Sequence, residues 1–135
     1  MTVRDTASLL RHALLADGAV SGVTGLVLAS GAPLAAPLFG LSTAFLAGIG
    51  VFLIAYGAVL VLLTWRPAVA PAAARTVIAG NAVWIVASLG FVLLGPASLT
   101  MLGKGFVVMQ AAVVALLVEL QWVGLRRHTL VGMTA

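Results

Sequence analysis

Four long apolar runs alternate with three short stretches that hold all five prolines. The runs cover residues 9–30, 41–64, 76–94 and 105–125. A helix needs roughly 20 apolar residues to cross the hydrocarbon core of a bilayer, and each run has about that length. The connections read GAPLAAPLFG, WRPAVAPAAAR and GPASLTMLGK. Proline ends helices, and links this short set neighbouring helices antiparallel. The pattern predicts an all-α fold, a transmembrane four-helix bundle with short loops. The second half does not copy the first, so one domain over 1–135 is expected.

Small residues recur within the runs at about one-turn spacing. Gly18, Gly22 and Gly25 do so in the first run, and Ala47, Gly50 and Gly57 in the second. In the fourth, Ala112 and Ala115 lead to Glu119. Helices in lipid associate by close packing, which small side chains allow. These stripes are therefore expected to face other helices. Gly18 and Gly22 also form a Gly-x-x-x-Gly pair, which suits a homodimer, although packing inside the bundle is the primary expectation.

Composition confirms the class and adds an orientation. Hydrophobic residues make up 63% of the 135-residue chain and charged ones 7%. A chain of this size cannot bury so much apolar surface, so much of it is expected to face lipid. There is no cysteine, which excludes disulfides and thiolate metal sites. The formal charge of +4 sits at the ends of the apolar runs and forms no patch, so it marks membrane orientation and not nucleic-acid binding. Arg4, Arg11, Arg66, Arg75, Arg126 and Arg127 fall on one side of a four-span chain, and only Lys104 on the other. The positive-inside rule then makes both termini cytoplasmic. Arg4, Arg11 and the small residues Ala29, Ser30 and Gly31 also fit a signal peptide. Asp17 inside the apolar core and the length of the run favour a retained span.

Three polar groups interrupt the apolar runs at similar depth on the inner side: Asp17, Asn81 and Glu119. Intramembrane ionisable groups are costly and usually face the bundle with a partner. By helical spacing, Ala112, Ala115, Glu119, Trp122 and Arg126 share one face, with Gln110 and Gln121 nearly opposite. Asn81, Trp84 and Ser88 share a face of the third helix. One polar cluster from helices 1, 3 and 4 is therefore expected, with Glu119 on the packed side. As structural glue, the carboxylates pair with Arg11, Arg75 or Arg126, and Asn81 bridges helices. As a binding or proton site, the candidates are Asp17, Asn81, Trp84 and Glu119, since like charges in low dielectric repel and protonation relieves them. His12 and His128 lie at the rim, where they fit an interface better than a metal or haem. Tyr56 is expected to pack in the core, with an inward hydrogen bond as the alternative. No cofactor motif, nucleophile elbow or phosphate loop occurs.

Asp17 with its following Gly/Ser pattern, AGNAVWIVAS and ELQWVGLRR resemble a family of small bacterial four-helix integral membrane proteins, over most of the chain. The resemblance implies a topology and a bacterial inner-membrane address, and no activity. Asp17 in the first span is also similar to the acidic residue of small multidrug-resistance transporters, an analogy of architecture. The expected function is non-enzymatic, an accessory or scaffold component in the lipid bilayer, as a homodimer or with a partner membrane protein. The alternative is a small proton-coupled transporter using the intramembrane carboxylates.

Overall fold

The computed structural model describes residues 3–134, with side chains for residues 8–127 and 130. The side chains of Arg4 and His128 lie outside that range. Four helices account for almost all of it: α1 Val3–Phe39, α2 Thr43–Thr64, α3 Pro71–Leu94 and α4 Met101–Thr134. All four are long and apolar enough to cross a membrane. At about 1.5 Å per residue, even the 22-residue α2 reaches roughly 33 Å, enough for a hydrocarbon core.

The largest departure from the expected spans is α1, which runs through Pro33 and Pro37 where a connection was predicted. The two prolines lie one turn apart on the exposed face, while Ala32 and Ala36, each just before a proline, are buried. Those alanines pack with Leu28 and Leu46, so the helix is held on the side that lacks proline. Backbone groups freed by proline are tolerated in a membrane helix when its surroundings satisfy them. At the next connection Pro71 begins α3 instead of lying outside it. A first-turn proline lacks only an N–H that would have no helical partner. Likewise α4 starts at Met101 and ends at Thr134, well outside 105–125.

The connections are tied down at both ends of the bundle. Gly40 ends α1 with φ +69, and a side chain there would collide with the Ser98 carbonyl. Ser98 Oγ donates to Gly40 O at 2.8 Å, and Thr100 Oγ1 donates to Leu38 O at 2.6 Å. The α3–α4 link thus satisfies carbonyls left open at the end of α1. Thr100 Oγ1 also accepts from Gly103 N at 3.0 Å and so caps α4. At the opposite end Arg11 donates to Arg66 O at 2.8 Å and Pro67 O at 3.1 Å. Hence the start of α1 and the α2–α3 link share one end, and the other two links share the opposite end.

Helix α1 packs against α2 and α4, and α4 also packs against α3, but α2 and α3 make no backbone contact. Glycine sets the α1–α2 approach, as the spacing predicted. A Cβ on Gly57 would lie 2.5 Å from Gly18 O, and one on Gly50 2.5 Å from Ala29 N. Gly124 brings α4 onto α1, where a Cβ would lie 2.9 Å from Leu10 Cα. Two apolar clusters fill the ends. Leu10, Leu14, Leu60, Val69, Ala74 and Leu125 form one, and Leu28, Ala32, Ala36 and Leu46 the other.

The packed face of α4 is opposite to the one predicted. Gly103, Ala111, Leu117, Gln121, Gly124 and Leu125 are buried, whereas Ala112, Glu119, Trp122 and Arg126 are exposed. Alanine costs little against lipid, so it does not mark a contact face by itself. An amide such as Gln121 loses hydrogen bonds in hydrocarbon, and its need for partners orients the helix.

Candidate functional site

Asp17 lies between the two apolar clusters and is 1% exposed. Its partners come from all four helices. Asn81 Nδ2 of α3 and Gln121 Nε2 of α4 each donate to Oδ2 at 2.7 Å. Tyr56 OH of α2 lies 3.2 Å from the same oxygen, and Ser21 Oγ, one turn along α1, is 3.4 Å from Oδ1. The two amide bonds are therefore the strong ones, and the Ser21 contact is weak.

All these partners are neutral. Arg11, an expected ion-pair partner, instead donates to the α2–α3 link. Arg75 is exposed near the start of α3, and exposed Arg126 lies 5.1 Å over the Trp122 ring. Glu119 is also exposed, turned away from the hub by the rotation of α4. The expected cluster therefore forms around Asp17 and Asn81, but Gln121 takes the place of Glu119 in it. Tyr56, expected to pack in the core, joins through its hydroxyl.

Hydrogen counting restricts the arrangement. Tyr56 has one hydroxyl hydrogen and two acceptors, Asp17 Oδ2 at 3.2 Å and Asn81 Oδ1 at 2.8 Å. The shorter contact is the better hydrogen bond. Gln121 spends its amide nitrogen on Asp17, while its buried Oε1 has no partner among the described residues. An unmet acceptor of this kind costs about 1–3 kcal/mol. A separate polar chain joins α3 to α4. Trp84 Nε1 donates to Gln110 Oε1 at 2.9 Å, and Gln110 Nε2 donates to Ser88 Oγ at 2.9 Å and Val107 O at 3.0 Å. Trp84 thus stands beside the hub and not within it.

The gap between α2 and α3 forms a groove next to the hub. Its larger cavity, about 480 Å³, is lined in part by Tyr56 and Asn81, both of which touch Asp17. A second cavity of about 220 Å³ shares Thr24, Leu53, Trp84, Phe106 and Gln110 with it. Aromatic rings reach across where the backbones do not. Phe52 stacks on Trp84 with centroids 5.7 Å apart, and Phe45 stacks on Phe91 at 5.6 Å.

Comparison of the chain with family models, curated proteins and solved structures finds no match.

Proposed function

We propose that this protein is a non-enzymatic, multi-pass component of a bacterial cytoplasmic (inner) membrane, with both termini cytoplasmic, that serves as an accessory or scaffold unit. One observation carries this reading: a network of neutral partners around Asp17 joins all four helices, with Asn81 and Gln121 donating to its carboxylate and Tyr56 donating to Asn81. Such a hub fixes how each helix is rotated and how deep it sits, which a unit offering a constant outer surface to a second copy or a partner membrane protein requires. The orientation rests on the six arginines at one end, and the address on the resemblance to small bacterial four-helix membrane proteins. Among the described residues no complete catalytic constellation supports an enzyme.

A proton-coupled carrier is the second reading, centred on Asp17 now that Glu119 is exposed. The closeness of the groove to the hub favours it. A proton on Asp17 Oδ2 has an acceptor in the Tyr56 oxygen at 3.2 Å, while Tyr56 continues to donate to Asn81. Liposomes containing a trapped pH dye separate the two readings. The scaffold reading expects no protein-dependent proton flux with any candidate solute and a stable complex by native mass spectrometry. Solute-dependent flux, lost in Asp17→Asn while the helices stay assembled, would replace it with the carrier.

A further inference from the structure

The groove itself carries an inference that is independent of what Asp17 does. Its two cavities are lined by residues from all four helices, and no Asp, Glu, Lys, Arg or His is among them. Both lie within the membrane-spanning segments, beside the gap where α2 and α3 make no backbone contact. A molecule entering through that gap comes from the bilayer. The larger cavity, about 480 Å³, falls in the usual small-molecule range of roughly 300–1,000 Å³.

One lining group is chemically open. Ser21 is bonded to Asp17, Tyr56 to Asn81, Thr76 to Ala72 O, and Trp84 to Gln110, which reaches Ser88. Among the described residues Thr24 alone of the polar lining side chains makes no hydrogen bond. Other hydroxyls within the helices turn back to their own backbone, as Ser30 does to Leu26 O at 2.6 Å, Thr64 to Val61 O at 2.7 Å and Thr76 to Ala72 O at 3.0 Å. Thr24 is half-buried and lines both cavities. It stands about 10 Å along α1 from Asp17, at roughly 1.5 Å per residue.

We propose that the groove between α2 and α3 holds an uncharged, lipid-soluble molecule with a hydrocarbon body and one hydroxyl or carbonyl group, which hydrogen-bonds to Thr24. The apolar walls and the rings of Phe52 and Trp84 contact the body. The uncharged lining disfavours an ionic headgroup, which would be desolvated without a counter-charge.

Trp84 lines both cavities and reports occupancy. In a Trp65→Phe, Trp122→Phe background it is the remaining tryptophan. The protein is reconstituted in phosphatidylcholine vesicles and titrated with a chain-brominated stearyl alcohol or with phosphatidylcholine brominated on the same chain. The alcohol should quench Trp84 along a saturable curve, and the brominated phospholipid only in proportion to its mole fraction. Thr24→Val, close in shape, should weaken the saturable phase about two- to tenfold, the value of one hydrogen bond. Gly80 also lines the larger cavity, and a Cβ there meets nothing within 4 Å, so Gly80→Leu should fill the space and abolish saturation. If Gly80→Leu does not assemble, Thr24→Val carries the test alone. Alcohol quenching that stays linear overturns the proposal. So does an unchanged curve in Thr24→Val, or equal saturation by the phospholipid, which makes the occupant an ordinary acyl chain.

Discussion

Removing the Asp17 carboxyl group should loosen the whole bundle. Asp17→Ala takes away the acceptor of two 2.7 Å amide bonds, one from α3 and one from α4, and of a longer contact from α2. Interhelical hydrogen bonds in membranes average about 0.6 kcal/mol and reach about 1.7 kcal/mol. Two good bonds therefore contribute roughly 1–3 kcal/mol, with the weaker contacts adding little. Reversible unfolding in bicelles measures the total. A double-mutant cycle of Asp17→Ala with Gln121→Ala isolates one bond, and its coupling should be about 0.6–1.7 kcal/mol. The cycle matters because Gln121 also carries an unmet Oε1, so Gln121→Ala by itself mixes a lost bond with relief of a buried acceptor. Zero coupling between Asp17 and Gln121 would refute the hub, whatever the single variants do.

The remaining predictions concern the surfaces around the hub. Glu119→Gln and Glu119→Ala should leave the unfolding midpoint unchanged, because Glu119 is exposed on the outer face of α4; a large loss would mean that α4 is turned the other way. Gly57→Leu should be worse than Gly57→Ala, since a Cβ already lies 2.5 Å from Gly18 O, and the smaller change should cost about 1–3 kcal/mol by the same unfolding assay. Gly48→Ala, where a Cβ meets nothing within 4 Å, is the matched control and should be near neutral. Arg11→Ala removes donors to Arg66 O and Pro67 O, and should speed proteolysis of the link between α2 and α3 without altering helix content by circular dichroism.

Sequence patterning located the four spans because hydropathy responds to the absence of water over some 20 residues, an effect that needs no tertiary information. Span ends were harder to read. Pro33 and Pro37 signal a break, yet their exposed positions and the packing of Ala32 and Ala36 let α1 continue. The α1–α2 glycines were legible, since close backbone approach admits little else at Gly18, Gly50 and Gly57. Rotation of α4 was not. Alanine is at home both against lipid and against a helix, and a carboxylate draws more attention than an amide. Read together, Gly103, Val107, Gln110, Val114, Leu117, Gln121 and Gly124 follow alternating steps of three and four, with both glutamines on that stripe. That spacing was the signal for Gln121. Tyr56 carried no comparable signal, because a lone tyrosine in a span serves equally well as packing.

The groove and the hub divide the molecule between two physical tasks. At Asp17 the side chains largely satisfy one another, with the Gln121 acceptor as the exception, and the four helices are locked through them. Beside it, the backbones of α2 and α3 stay apart and the Phe52–Trp84 and Phe45–Phe91 stacks reach across, so this is where the bundle can admit something without breaking its central bonds.

A solid-state NMR distance measurement in lipid tests the hub most directly. The chain has only two aspartates, Asp5 and Asp17, so Asp5→Asn leaves Asp17 as the single labelled carboxyl carbon. With nitrogen-labelled asparagine and glutamine side chains, that carbon should show strong dipolar coupling to amide nitrogens, reduced in Asn81→Ala and again in Gln121→Ala. No coupling to any side-chain amide, or coupling unaffected by both substitutions, would contradict the account.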